Sequence, residues 1–143
     1  MSAEPNKALV RRFVEDGINN ANMAIFDELL AEDVLDHYAP PGSPPGRDGW
    51  KQNNLNFKAA FPDGRWAIVD MIADGDLVAA RALFSGTHQG EFFGLPATGR
   101  RVEAGSIHIC RVAGGRIVEH WGNSDDFGML SQLGAIFAAG AAA

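Results

Sequence analysis

Apolar residues recur at helical spacing through the first part of the chain and at strand spacing through the second. Leu9, Val10, Phe13, Val14 and Ile18 share one face of a helix predicted over 5–19, and Pro5 suits its first turn. The Asn-rich break at 19–22 ends it, and Asn22 is placed to cap a second helix carrying Met23, Ile25, Phe26, Leu29 and Leu30. Residues 33–38 are short and mixed, either a helical turn or a short strand. The stretch 39–46, with four prolines and two glycines, can only be a loop, covering an edge or a cavity mouth. Helical spacing returns over 47–61. Trp50, Phe57 and Phe61 share a face there, and Asn53 and Asn54 fall on or beside it.

After Phe61-Pro-Asp-Gly64 the pattern is β. Residues 65–73 alternate loosely, Asp74-Gly75 is a hairpin signal, and 76–88 reads as a long strand. A glycine-rich excursion over 88–99 follows. Two strand-like runs then meet at Ala113-Gly114-Gly115. A three-residue loop there sets Val112 opposite Arg116, Cys110 opposite Val118, His108 opposite His120 and Ser106 opposite Gly122. Two imidazoles thus share a face with Cys110, Val112 and Val118. The other face reads Ile107, Ile109, Ile117 and Trp121, with Glu119 among them. Ser124 or Asp125 can cap a last short helix through Leu133, closed by Gly134, and the Ala-rich tail 138–143 has nothing to bury.

Helices first and strands second is the α+β pattern, in one domain spanning 1–143 with an ordered core over about 6–135. Three helices cover one face of the sheet. The face with Ile107, Ile109, Ile117 and Trp121 is left over, and a two-fold homodimer is the simplest cover for it.

Composition removes several function classes. The net charge of −6, with no run of Lys and Arg, argues against nucleic-acid binding. Cys110 is the only cysteine, which excludes an internal disulfide and a Cys-rich zinc site. With neither a signal segment nor a membrane-spanning apolar run, a reducing cytoplasm is the expected setting. Three histidines, His88, His108 and His120, invite a zinc reading, but close-spaced ligand pairs are missing and metal is not expected. Cys110 lies mid-strand, where a packed thiol is expected rather than a nucleophile.

Residues 86–101, Arg111 through Gly115-Arg-Ile-Val-Glu-His-Trp121 and Gln132-Leu-Gly134 resemble the SnoaL-like polyketide cyclases of the nuclear-transport-factor-like superfamily. Asp33-Val-Leu-Asp-His37 and Phe61-Pro-Asp63 fit as well. The fold implied is a cone of three helices wrapped by a curved antiparallel sheet around an apolar pocket. The activity implied is an intramolecular aldol ring closure without metal or organic cofactor on a small hydrophobic carbonyl substrate. The superfamily also contains isomerases, hydrolases, hydroxylases and binding proteins, so fold does not dictate activity. The resemblance implies a functional histidine at His108 and a polar pocket position at Asn53. It also implies an acid/base aspartate directly after Trp121, where this chain has Gly122.

The candidate catalytic residues are therefore His108, His120 and Asp125, the last either as a substitute acid/base or as a helix cap. Candidate substrate-binding residues are His37, Asn53, Trp50, Phe57 and His88. Adjacent residues on an extended segment point opposite ways, so only one of Asp36 and His37 enters the pocket, with His37 preferred. Two other readings stand beside the cyclase or isomerase: a binding or accessory protein that kept the pocket, favoured by Gly122, and an epoxide or ester hydrolase, for which Asp70 and Arg81 supply part of a polar network.

Overall fold

The computed structural model describes residues 3–135, so the Ala-rich tail at 138–143 lies outside the described residues. Helix α1 (Ala3–Arg12) runs on through a π-helical turn (Phe13–Ile18), whose closing bond goes from the Asn19 N–H to the Val14 carbonyl. Asn19, expected to be only a breaker, is buried. Its amide bonds both the Trp66 N–H (2.8 Å) and the Trp66 carbonyl (3.0 Å), tying the end of the helix to the backbone at Trp66. Asn22 caps α2 (Met23–Leu29) by accepting from the Ala24 N–H, as its position predicts. The mixed segment is a strand, β1 (Leu30–Asp36), and α3 (Gly46–Ala60) follows the proline loop.

Four long strands complete the chain: β2 (Arg65–Asp74), β3 (Leu77–Thr87), β4 (Arg101–Ala113) and β5 (Arg116–Ser124), before α4 (Asp126–Gln132). The sheet order is β1-β5-β4-β3-β2. Strands β2 to β5 are antiparallel, as expected, but β1 joins β5 in parallel, so the sheet is mixed. The helices lie on its concave side over two apolar centres. One gathers Phe13, Phe26, Leu30, Val34, Val78, Cys110 and Ile117; the other gathers Phe61, Phe84, Val102 and Met129. Between them the inner face of β3 and β4 carries only small side chains, Ala80, Ala82, Ala104 and Ser106, next to His108.

The central hairpin departs from the expected register. Its loop is the pair Gly114-Gly115, both at positive φ (59° and 76°), so Ala113 faces Arg116 and Val112 faces Ile117. This is the primed turn that matches strand twist, and two glycines adopt it without strain. A bulge then inserts Val118, and Arg111 faces Glu119, Cys110 faces His120 and His108 faces Gly122. Ile117 and His120 are three residues apart, and strict alternation cannot bury both; the bulge does. The correction has two consequences. The histidines are diagonal neighbours rather than an opposed pair. Ile117 is fully buried in the core and leaves the outer face on which it was expected. That face keeps Ile107 (55% exposed), Ile109 (38%) and Leu83 (40%).

Candidate functional site

The inner ends of three strands build one line of polar groups. Asp36 lies beside His120 across the parallel β1–β5 pair, and its Oδ1 is 2.7 Å from His120 Nδ1. His120 Nε2 is 3.0 Å from His108 Nδ1, with the two ring planes 13° apart. His108 Nε2 is 2.9 Å from Ser106 Oγ, two residues back on the same face of β4. Aromatic rings enclose the line. Trp50 of α3 lies against His120 at 4.6 Å, and Tyr38 meets both imidazoles edge-on. The Tyr38 hydroxyl contacts Ser124 Oγ. His120 and Ser106 are buried.

Burial dominates the electrostatics. It lowers the His108 pKa to about 4, helped by the charge of neighbouring His120 and opposed by Asp36. His108 is therefore a neutral imidazole at pH 7. Burial also raises Tyr38 to about 12, with the charges of Asp126 and Asp36 adding to it. The Cys110 thiol rises to about 12 for the same reason, followed by the charge of Asp36, so it is a packed thiol and not a thiolate.

Gly122 shapes this site by lacking a side chain. A Cβ there would stand 2.7 Å from His108 Nδ1 and 3.1 Å from Tyr38 Cγ. The space that the expected aspartate would occupy is thus filled by His108 and Tyr38. The carboxylate arrives from β1 instead.

The sequence candidates divide sharply. His108, His120 and Trp50 come together as expected. Asn53 lies one helical turn beyond Trp50, half-buried, with its amide donating to Ser43 of the proline loop at 3.1 Å; the buried member of the asparagine pair is Asn54, whose amide donates to the Ile18 carbonyl. His37 is a correction. Asp36 points in, with its side chain 12% exposed, and His37 points out, at 40%. His37 bonds Glu119 at 2.8 Å and stacks on Trp121. Asp125 takes the second of its two expected roles: its side chain accepts from the Gly128 N–H and caps α4. Phe57 packs among Phe61, Trp66, Phe84 and Phe92, in the other core and not against the histidines. His88 is buried at the far end of the sheet. Its Nδ1 takes the Thr98 N–H at 3.2 Å, and its ring lies beside Phe61. Asp70 and Arg81 form an exposed ion pair, away from any interior site.

Asp36 was weighed against His37 and passed over; Ser106 and Tyr38 were not singled out from the sequence. The Ser106-x-His108 spacing, which puts both on one strand face, was the available signal for one of them. Two open surface grooves are present, one along Glu15, Asp16, Asn20 and Arg65, the other along Val69, Arg81, Leu83 and Ile107 and touching Ser106 and Ser124. Neither reaches the histidines. No described helix is long and apolar enough to cross a membrane.

With this arrangement in view, the comparison with known proteins is decisive about kinship. The SnoaL-like polyketide cyclase family matches residues 8–133. The chain belongs to that family. An aklanonic acid methyl ester cyclase, DauD, of Streptomyces sp. (strain C5) is 31% identical over 137 residues, covering 91% of this chain and 82% of that one. The nogalonic acid methyl ester cyclase of Streptomyces nogalater is 37% identical over 86 residues, 60% of each chain. Among solved structures, TsrD from Streptomyces laurentii superposes with a TM-score of 0.85 at 27% identity, covering 92% of this chain and 96% of that one. IdmH from Streptomyces antibioticus gives 0.80 at 37% identity, covering 92% and 99%. The cone-shaped SnoaL-like fold is therefore established for this member, as the sequence led one to expect.

Proposed function

We propose that this chain closes a ring in a polyketide-like carbonyl substrate by an intramolecular aldol step, with His108 handling the proton beside the carbonyl. The supporting observation is the neutral, hydrogen-bonded His108 on the inner face of β4, joined through His120 to a carboxylate. Such a step needs a base to form an enolate and an acid to protonate the new alkoxide. Positioned groups of this kind contribute ~10²–10⁴-fold. A dry pocket strengthens every dipole aimed at the enolate oxygen. Nothing beyond proton transfer is consumed, so the proposal includes neither metal nor organic cofactor. Trp50 and Tyr38 supply flat apolar walls suited to a planar substrate, with Asn53 a turn away as a polar group for its oxygens.

The relatives' names make aklanonic acid methyl ester and nogalonic acid methyl ester the first compounds to try. Ring closure gives a product of unchanged mass and altered chromatographic mobility. Wild-type protein is expected to form it, and His108→Ala to lose at least ~100-fold in rate. Saturable binding without any product would instead support the binding-protein reading.

The proposal extends to assembly in the cytoplasm as a homodimer through the outer sheet face. Ile107, Ile109 and Leu83 stand exposed there beside Trp121, and the flanking charges are already paired, Arg81 with Asp70 and Arg111 with Asp76 and Glu119. Sedimentation at micromolar concentration is expected to give twice the mass of the chain; the mass of one chain would refute it.

A further inference from the structure

We infer that Asp36, His120, His108 and Ser106 form a directed proton relay that places the charge taken from the substrate on His120, against Asp36. The inference rests on the cyclase reading for its substrate, but its hydrogen-bond pattern can be tested without one. Three contacts fix the direction. An ionised Asp36 can only accept, so His120 Nδ1 carries a proton and donates to it at 2.7 Å. A neutral His120 then has its lone pair on Nε2, and His108 Nδ1 donates to it at 3.0 Å. This leaves the His108 lone pair on Nε2, where the Ser106 hydroxyl donates at 2.9 Å. With Asp36 ionised and both rings neutral, no other assignment satisfies all three contacts. Both imidazoles are thereby held in the Nδ1–H tautomer.

The relay solves a problem that His108 alone cannot. A base works best when its conjugate acid titrates near the working pH, and a charge held on buried His108 would have no carboxylate beside it. In the relay the substrate C–H bond breaks, leaving the enolate, and its proton goes to Ser106 Oγ. The Ser106 proton passes to His108 Nε2, and the proton on His108 Nδ1 passes to His120 Nε2. Ser106 and His108 end neutral, and His120 ends as an imidazolium bonded to Asp36. After the enolate carbon attacks the second carbonyl, the same path runs backward and protonates the alkoxide. Protons and charge balance over the cycle. The titratable and charged groups facing the line are Asp36 and Tyr38 from β1 and the segment after it, Cys110 from β4, and Asp126 at the start of α4; the nearest side chain of α3 is the uncharged Trp50.

This arrangement moves the site's carboxylate from position 122 to position 36. Gly122 is what permits it, because a side chain there would displace His108 and Tyr38.

The test uses the full chain labelled with ¹⁵N at histidine. At pH 7 the His108 and His120 rings are expected to show protonated Nδ1 and bare Nε2. A protonated Nε2 with a bare Nδ1 on either ring overturns the relay, whatever the activity. With the ring-closing substrate, Asp36→Asn is expected to lower kcat by ~100-fold or more, with little change in KM. It should also move the acid limb of the kcat profile to lower pH, since the relay loses the charge that holds its proton. A wild-type rate and profile in Asp36→Asn overturns the relay. If wild-type protein makes no product while the tautomers are as stated, the relay stands and the cyclase reading falls.

Discussion

Gly122→Ala is the sharpest perturbation of the site, because one added methyl group tests the packing on which the rest depends. The new Cβ would meet His108 Nδ1 at 2.7 Å and Tyr38 Cγ at 3.1 Å. His108 cannot swing away freely, since both of its ring nitrogens are engaged, one by His120 and one by Ser106. Tyr38 is met near the base of its ring, where rotation about the side-chain bonds gives least relief. Overpacking of this kind costs about 1–3 kcal/mol. Losing the His108–His120 hydrogen bond adds about 1 kcal/mol. For 143 residues the unfolding entropy is ~0.3 kcal/mol/K, so a loss of ~2–4 kcal/mol lowers Tm by roughly 7–13 °C. Thermal unfolding by circular dichroism measures this. The decisive comparison is a double-mutant cycle: in a His108→Ala background the same Gly122→Ala change should cost less by ~1 kcal/mol or more, because the closer of its two clashes is gone. An unchanged Tm in Gly122→Ala, or an equal cost in both backgrounds, would refute the reasoning. Gly122→Asp, which restores the expected family residue, should lower activity rather than raise it.

Other outcomes follow from the same structure. The folded-state pKa of His108 is about 4, against 6.5 for a solvated imidazole, so the unfolded chain binds a proton first as pH falls. Stability should be unaffected by this group above pH ~6.5, fall by ~1.4 kcal/mol per pH unit below it, and lose about 3 kcal/mol in all by pH ~4; urea titrations at several pH values check it, and His108→Gln should flatten that slope. Asn19→Ala removes two bonds to the backbone of edge strand β2 and should cost ~2 kcal/mol, with activity intact at temperatures where the protein stays folded. Asp125→Ala should cost ~1 kcal/mol as a lost cap and leave kcat within about two-fold. His37→Ala, exposed in the turn just after β1, should change both stability and activity little.

How much of this was legible beforehand varies by element, for physical reasons. The caps at Asn22 and Asp125 and the glycine closing the last helix depend on chemistry within a few residues, and the sequence carries that chemistry openly. The pairing of His108 with His120 was readable in outline because both alternate with apolar residues on strands. Its geometry was not. The bulge at Val118 changes parity within β5, and only the simultaneous burial of Ile117 and His120 reveals it. The choice between Asp36 and His37 was hidden for a related reason. β1 runs parallel to β5, far away in sequence, and three extra residues are accommodated between its paired positions Leu30 and Leu35, so no local pattern sets its parity. His88 and Phe57 were misplaced because helical or strand periodicity shows burial but not which of two cores receives the side chain. Asn19 was read as a break because an asparagine that mimics a strand neighbour looks, in sequence, like one that merely ends a helix.

The central claim is that a base in the cone, working through His108, removes a proton from carbon beside a carbonyl. Incubating the protein in D₂O with a substrate analogue that can form the enolate but lacks the second carbonyl isolates that event from ring closure. Wild-type protein should catalyse deuterium incorporation at that carbon, and His108→Ala should reduce it to the uncatalysed rate. Incorporation at the wild-type rate in His108→Ala, or none above background in the wild type, would contradict the account.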